Sequence, residues 1–244
     1  SGHASPALFD AVAEAASGRL RDFTPQGLAN TAWAFAVTDA RHPQFIAALT
    51  ERLAQPGLAL QPSELRQLQQ FSLWCELELR LPEAQLLPPP LRERCRDALR
   101  AVASGRDEQA AKPVARLQQS VGRALGRLGL SPTAEHALAE GYSVDYALVD
   151  ERIAIEVDGP SHFARSGDGA GRRPIGKTVL KRRLLAALGW RLLEVPFWEW
   201  NPLGHGEGAE RKYEENDSEA QCEYLRERLQ RLRSDGASAA PPPP

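Results

Sequence analysis

The sequence predicts an all-α segment built from helical repeats, followed by a small α/β domain. Two observations support this division. In the N-terminal part a helix-start motif occurs twice at an offset of 37 residues, with Pro25 and Leu28 matched by Pro62 and Leu65. Further along, apolar residues change from the helical period of about 3.6 to the strand period of about 2. A chain of 244 residues has room for one sizeable core and a smaller helical piece.

Residues 1–103 are predicted to be helical because their apolar residues recur at helical spacing. Thr24 is typical of an N-cap and Pro25 of a first helical position. A second helix is predicted over 43–53, before the motif recurs. Helix pairs that repeat at such a period are typical of an α-solenoid, whose units bury their faces against their neighbours. An ordinary helical bundle is the alternative, since two copies define a repeat weakly.

The second half of the chain is predicted to alternate helices and strands. The expected order is helix, strand, strand, helix, strand, over 113–129, 144–149, 152–157, 177–188 and 190–195. The predicted organisation is a helical repeat segment over 1–103, a linker over 104–112, an α/β domain over 113–204, an acidic helix over 205–232 and a disordered tail over 233–244.

The formal net charge of −2 excludes a chain that coats nucleic acid by bulk charge alone. Locally the charge is strongly asymmetric. Residues 165–194 contain eight basic and two acidic residues, whereas 207–227 contain eight acidic and three basic residues. The pattern indicates a cationic surface with a separate acidic segment. No stretch approaches the roughly 18 apolar residues of a membrane helix, so membrane spanning is not expected.

The cysteine and methionine counts bear on the origin of the chain. Its three cysteines are scattered, so they predict neither a disulfide framework nor a metal site, and they favour a reducing compartment. The sequence has no methionine and begins at Ser1. We therefore expect it to be part of a longer chain, with any targeting segment outside it.

Three carboxylates are predicted to meet at one end of a β-hairpin. A tight turn centred on 150–151 would set Asp145 opposite Glu156, with Cβ atoms about 4.5–5.5 Å apart. Strand alternation adds Asp158 to the same face. Such an oxygen-rich cluster suits Mg²⁺ or Mn²⁺. A structural ion-pair network, in which nearby lysines and arginines neutralise these acids, is the alternative.

The same residues resemble the RAP domain. The resemblance is carried by Val144-Asp145-Tyr146-Ala147-Leu148, by Ile153-Ala154-Ile155-Glu156-Val157-Asp158-Gly159-Pro160-Ser161-His162-Phe163 and, within 178–200, by Gly189-Trp190 and Val195-Pro196-Phe197-Trp198-Glu199-Trp200. It covers a core motif over 140–200, and residues 24–36 are similar to octotricopeptide-type helical repeats. The resemblance implies an RNA-associated module of organellar proteins, of the kind also found in the FASTK family.

The RAP domain is related to the PD-(D/E)XK nucleases, which implies a restriction-endonuclease-like α/β fold. By that resemblance Asp145 and Glu156 match the two metal-binding acids. Asp158 departs from the motif, which has a lysine there, and Lys177 or Lys181 could substitute from the basic helix. The predicted catalytic residues are Asp145, Glu156, Lys177 and Lys181. The predicted Mg²⁺ or Mn²⁺ ligands are Asp145, Glu156 and Asp158. Whether the domain is an enzyme stays open at this point.

An RNA-binding surface is predicted from the basic block and neighbouring aromatic residues. The expected RNA-contacting residues are Arg165, Arg172, Arg173, Lys177, Lys181, Arg182, Arg183, His162, Phe163, Trp198 and Trp200. Core packing is the alternative for the two tryptophans.

The function implied by the resemblance is RNA binding in a mitochondrion or plastid, in RNA processing, stability or translation. Its partner would be single-stranded RNA or rRNA, within a larger ribonucleoprotein complex or alone. Two alternatives are a metal-dependent RNA endonuclease and a structural subunit of an organellar ribosome.

Overall fold

A computed structural model describes residues 5–103, 115–164, 173–200 and 216–238 of the chain. The helices are α1 (Pro6–Ser17), α2 (Pro25–Thr38), α3 (Pro43–Ala54), α4 (Pro62–Leu73), α5 (Pro89–Ala103), α6 (Ala115–Arg127), α7 (Gly176–Ala187), the single turn α8 (Phe197–Trp200) and α9 (Asn216–Ser238). The strands are β1 (Thr133–Ala137), β2 (Ser143–Leu148), β3 (Ile153–Asp158) and β4 (Arg191–Pro196). The predicted linker and the end of the predicted tail lie outside the described residues. Within them, no helix is both long enough and apolar enough to cross a bilayer.

The chain divides into two compact units, each made of segments that are not contiguous in sequence. The first contains the described residues of Ser1–Ala110, Ala137–Tyr142 and Phe163–Leu188. The second contains those of Ala111–His136, Ser143–His162 and Gly189–Pro244. Helix α7 therefore belongs to the same unit as α1 to α5. Because the predicted domain boundaries are linear, this division does not test them, and they stay a prediction.

In the first unit, the two helices that carry the 37-residue repeat lie side by side. The indole Nε1 of Trp33 in α2 donates to Oε1 of Gln70 in α4 at 2.9 Å. A second hydrogen bond joins the same two helices, in which Nε2 of Gln67 donates to Oδ1 of Asn30 at 3.0 Å. In each pair the partners are 37 residues apart. The sequence offset thus corresponds to equivalent positions on neighbouring helices.

Both repeat helices begin where the sequence predicted. Thr24 is the N-cap of α2, and its Oγ1 accepts from the backbone N–H of Gly27 at 3.1 Å. In α4 the backbone N–H of Gln61 donates to Oε2 of Glu64 at 2.7 Å, half of a capping box. A proline occupies the first turn of both helices, where its missing N–H costs no hydrogen bond.

The second unit is built on a four-stranded mixed sheet in the order β1-β2-β3-β4. Strands β2 and β3 are antiparallel, with Tyr146 opposite Ile155 and Leu148 opposite Ile153, which confirms the register predicted for the hairpin. Strand β4 runs parallel to β3. Strand β1 was not predicted, because its sequence Thr-Ala-Glu-His-Ala has little apolar alternation and all five residues are at least partly exposed.

Helices α6 and α9 supply the other half of this unit's core. Ile153, Ile155 and Val157 of β3 pack in a cluster whose further buried members are Val121, Ala124, Leu125, Leu148, Leu193, Val195, Trp200, Cys222, Leu225 and Leu229. Helix α9 was predicted only as an acidic helix ending at residue 232. It continues to Ser238, and three of its side chains belong to this core.

Polar contacts reinforce the docking of α9 within the second unit. The Arg191 guanidinium donates to the carbonyl oxygens of Leu232 and Glu151, each at 2.7 Å. The Glu151 carboxylate in turn accepts two hydrogen bonds of 2.7 Å from Arg233. Hydrogen bonding to Arg233 lowers the pKa of Glu151 below its usual value. This pairing is consequently intact at neutral pH and is lost as the pH falls through the lowered pKa.

The close approach of α6 and β2 makes a specific glycine necessary. The Tyr146 hydroxyl lies beside the Cα of Gly122 and donates to the carbonyl of Gln118 at 2.9 Å. A Cβ atom at Gly122 would lie 2.4 Å from that hydroxyl oxygen, whereas a Cβ at Gly126 would meet nothing within 4 Å.

We therefore predict that Gly122→Ala lowers the free energy of unfolding by about 1–3 kcal/mol, because a methyl group is forced into an occupied space. Gly126→Ala, on the same helix, is the matched control and should raise it by about 0.5–1 kcal/mol. Urea denaturation followed by circular dichroism measures both. Equal effects of the two substitutions would contradict the packing described here.

Candidate functional site

Strand β3 carries two carboxylates in a fully buried position. All six of its residues are buried, and Glu156 and Asp158 are only 4% and 1% exposed. Burying an ionised carboxylate is costly unless it is paired or hydrogen-bonded. The sequence predicted that a metal ion or nearby cations would offset the charge of these acids. Their burial raises the free-energy cost of leaving that charge without a partner.

The carboxylate of Asp145, the third predicted acid, accepts hydrogen bonds from neighbouring residues of the second unit. The paired residues of β2 and β3 begin at Tyr146, one residue beyond it. Oδ2 of Asp145 accepts from the backbone N–H of Val157 at 2.7 Å, so the side chain extends the hydrogen bonding between the two strands. Oδ1 accepts from the side-chain amide of Gln118. Both carboxylate oxygens of Asp145 therefore have structural partners.

The Asp158 carboxylate contacts the imidazole of His162 just beyond the end of β3. The distance from its Oδ1 to Nδ1 of His162 is 2.7 Å. A 3₁₀ turn over Pro160–His162 returns the chain toward the strand end and brings the imidazole to the buried carboxylate. The His162 side chain is 30% exposed. The sequence did not predict this pair; the four-residue spacing of the two side chains around Gly159 and Pro160 was its only signal.

The predicted Mg²⁺ or Mn²⁺ site consists of Asp145, Glu156 and Asp158. Among residues 5–103, 115–164, 173–200 and 216–238, no three or more His, Cys, Asp or Glu side chains form a group that could hold a metal ion. The acids Asp145 and Asp158 have the protein donors described above. The predicted substitutes for the motif lysine, Lys177 and Lys181, lie on α7 in the first unit. The catalytic set and the Mg²⁺ or Mn²⁺ ligands stay a prediction, and no reaction step follows from this arrangement.

A cationic surface is formed in the first unit at the start of α7. Phe163 and Pro174 form an antiparallel β-bridge, and the N–H of Ala164 donates to the carbonyl of Arg173 at 2.8 Å. This pairing sets Arg173 beside the half-buried Phe163 and directly before α7. Arg173 and Lys177 are both exposed, and the first turn of α7 contains no acidic residue.

Arg183, by contrast, lies inside a hydrogen-bonded network of the first unit. Its guanidinium donates to the carbonyls of Ala36 and Val37 at 3.1 and 3.2 Å, near the carboxyl end of α2. It also donates to Oε2 of Glu78, at 3.2 Å from its Nε, and lies 3.5 Å from Oδ1 of Asp39. Arg183 was predicted to contact RNA, but its guanidinium is bound inside the first unit at the carboxyl end of α2.

Asp39 completes this network from the end of α2. It adopts the left-handed conformation with a φ of 52°, and its Oδ1 accepts from the indole Nε1 of Trp74 at 2.9 Å. Burial by itself would raise the pKa of Asp39, but hydrogen bonds from Arg41 and Trp74 and the nearby charge of Arg183 lower it. The carboxylate is therefore charged at neutral pH, and its contribution to stability is lost as the pH falls through that lowered pKa.

The two tryptophans that were predicted to stack on RNA, Trp198 and Trp200, differ in their exposure. Trp200 is 1% exposed, and its Nε1 donates to Oγ of Ser120 at 3.1 Å. It is a core residue and is not accessible for stacking on RNA, which corrects its assignment to the RNA surface. Trp198 is only half-buried and contacts the ring of Phe197 edge to face, at 5.3 Å between centroids.

The remaining predicted RNA contacts have different positions. Lys181 and Arg182 are half-buried on α7 and engage in further interactions, so they are less accessible than Lys177. Arg165 and Arg172 lie outside the described residues. The surface that the structure supports best consists of Phe163, Arg173 and Lys177, which we call the α7 cationic surface.

Comparison with known proteins identifies the family that these elements belong to. Residues 155–228 match the RAP domain. The chain carries a RAP domain. The match begins within β3, includes α7 and β4, and ends within α9, so the RAP domain contains the Asp158–His162 pair and the start of α7. The restriction-endonuclease-like fold stays a prediction.

The chain is also similar to a RAP domain-containing chloroplastic protein of Oryza sativa subsp. japonica. It is 32% identical to this chain over 185 residues, which is 75% of the chain and 28% of that protein. The chain thus spans less than a third of the length of this relative. The similarity extends well beyond the matched RAP domain.

We predict that Arg183→Met lowers the free energy of unfolding by about 1–3 kcal/mol, because it leaves Glu78 and the end of α2 without their donor. Arg173→Met removes an exposed cation of the same type and should change stability by no more than about 0.5 kcal/mol. Thermal unfolding of the two variants beside the wild type measures the difference. Unchanged stability of Arg183→Met would contradict a structural role.

Proposed function

We propose that this protein binds single-stranded RNA through its RAP domain, at the α7 cationic surface. The observation that carries the proposal is the position of two exposed cations, Arg173 and Lys177, at the amino end of a helix whose first turn has no acid. The match to the RAP domain supports the same function, because membership of that family suggests an RNA-binding role.

The chemistry of the α7 cationic surface suits the RNA backbone. Lys and Arg attract phosphate groups, and a helix start adds the partial positive charge of its free N–H groups. Phe163 lies beside Arg173 through the β-bridge to Pro174 and offers an aromatic ring on which an unpaired base can stack. None of these contacts reads a base edge, so binding here would depend weakly on sequence.

We further propose a role in plastid RNA processing, stability or translation. The support is the chloroplastic designation of the rice relative, which the chain matches over 75% of its length. A mitochondrial site of action has no comparable support. Association with a larger ribonucleoprotein complex, including a ribosome, is compatible with this role.

The RNA-binding proposal predicts that the double variant Arg173→Glu/Lys177→Glu binds a short labelled oligouridylate about tenfold or more weakly than the wild type. The plot of log affinity against log salt concentration should become shallower by about 1.4, since each lost phosphate contact on a single strand accounts for about 0.7. Fluorescence anisotropy in the presence of EDTA measures binding separately from any metal-dependent cleavage.

The matched control is Arg231→Glu, a charge reversal at a side chain that is 75% exposed on α9. It should leave both the affinity and the salt slope close to those of the wild type. Equal losses in the control and the double variant would contradict a localised α7 surface. A wild-type protein that binds no RNA alone, but co-sediments with ribosomal particles, would favour the structural-subunit alternative.

The localisation proposal predicts that the full-length protein, fused to a fluorescent protein at its C-terminus, coincides with chlorophyll fluorescence in plant or algal cells. A variant of the RAP domain with Arg173→Glu and Lys177→Glu is the control and should enter the same compartment, since these residues are proposed to contact RNA. Coincidence with a mitochondrial stain would contradict the plastid assignment.

A further inference from the structure

Helix α6, in the second unit, presents an exposed face that carries positive charge and no negative charge. Its outward positions are all exposed to solvent: Arg116, Gln119, Arg123, Gly126 and Arg127. At 3.6 residues per turn these positions fall within an arc of about 100° and extend for about 16 Å along the helix. We call Arg116, Arg123 and Arg127 the α6 arginine face.

The arginines of this face are not neutralised within their own helix. Exposed arginines of α9, by contrast, have carboxylates at helical spacing, since Glu223 pairs with Arg226 and Glu227 with Arg231. Such pairs offset charge on the exposed surface of a helix. Helix α6 contains three arginines and no aspartate or glutamate over its whole length. The α6 arginine face is therefore a concentration of positive charge that attracts a polyanion.

The position of Arg116 is unfavourable for the helix itself. The start of a helix carries a partial positive charge, which favours acidic side chains and disfavours cations. Arg116 is the second residue of α6, and the first turn contains no acid. Arg127 lies in the last turn, where a cation is stabilising. The helix therefore accounts for the charge of Arg127 but not for that of Arg116.

Gly126 leaves a gap in the side chains of this face, between Arg123 and Arg127. Its backbone is helical, and a Cβ atom there would meet nothing within 4 Å, so no contact of the fold requires a glycine. Glycine in a helix lowers stability relative to alanine, because its unfolded backbone has more conformational freedom to lose. Gly122, on the same helix, has the Tyr146 hydroxyl as its reason. The missing side chain of Gly126 instead allows an external chain to approach the helix backbone closely.

These features fit the backbone of RNA. A guanidinium presents a planar fork of N–H donors that matches two phosphate oxygens. The exposed Gln119 amide, between Arg116 and Arg123, has both donor and acceptor groups that suit a ribose hydroxyl. We propose that the α6 arginine face is a second RNA-binding surface, which contacts the sugar-phosphate backbone of a single strand and admits it closely at Gly126.

This inference rests on the proposed function, because it requires that the protein binds RNA, but it does not require the α7 cationic surface. Helix α6 lies outside residues 155–228, which match the RAP domain. It also belongs to a different compact unit from α7. Separate variants can therefore test the two surfaces.

The first test is the double variant Arg116→Gln/Arg123→Gln, in which glutamine keeps a similar helix propensity. It should bind a labelled oligouridylate about tenfold more weakly than the wild type, with a plot of log affinity against log salt concentration shallower by about 1.4. Fluorescence anisotropy in the presence of EDTA measures both. The matched control, Arg226→Gln/Arg231→Gln, makes the same change in net charge on α9 and should leave both quantities close to those of the wild type.

The variant Gly126→Leu tests the close approach without removing a charge. Leucine is a good helix former, so the melting temperature should stay the same or rise. Its side chain would fill the gap, so the affinity for the oligouridylate should fall about fivefold through steric overlap. The salt dependence should keep its wild-type slope, because every arginine is retained. An affinity that Gly126→Leu leaves unchanged would overturn the close approach.

The outcomes separate this inference from the proposed function. If the wild type binds no RNA, the proposed function fails and the inference fails with it. If Arg173→Glu/Lys177→Glu weakens binding but Arg116→Gln/Arg123→Gln binds like its α9 control, the proposed function stands and the α6 surface is overturned. If only the α6 variant weakens binding, the α6 surface stands and the α7 cationic surface fails.

Discussion

The RAP domain is built around two carboxylates buried in one strand. Glu156 and Asp158 lie in β3, where every residue is buried, and an unpaired charge in such a place would cost far more than a single contact supplies. The chain therefore has to bring partners to the strand end. For Asp158 it does so by turning sharply after β3, which returns His162 to the carboxylate at 2.7 Å. The buried Asp158 carboxylate thus has a partner that lies only four residues further along the chain.

The basic residues of the RAP domain serve two different purposes on one helix. Arg183 is directed into the first unit, where it binds the end of α2 and Glu78 and supports the Asp39–Trp74 contact. Lys177, about 1.7 turns earlier, is exposed. Charge count alone treats the two as equivalent. Their environments separate a cation that stabilises the fold from one that is available to an external anion.

Much of the fold was predictable, because its signals are local. The N-cap at Thr24, the repeat offset and the hairpin register at Tyr146 follow from neighbouring residues and are confirmed. The elements that were missed depend on distant partners: β1 has little apolar pattern of its own, and Trp200 is a core residue because α6 and α9 cover it. The same holds for the site. Arg173 and Lys177 are exposed as expected, whereas the contact between Asp158 and His162 depends on the 3₁₀ turn over Pro160–His162, which the sequence pattern did not predict.

The most direct test of the account is to map where RNA contacts the protein. Photo-crosslinking with an oligouridylate that contains 4-thiouridine, followed by mass spectrometry of the digested protein, identifies the peptides in contact. Binding at the α7 cationic surface predicts adducts in peptides that contain Phe163, Arg173 or Lys177, and their loss in the presence of excess unlabelled RNA. Adducts confined to α9 or to α1–α5, with none in these peptides, would contradict RNA binding at the α7 cationic surface.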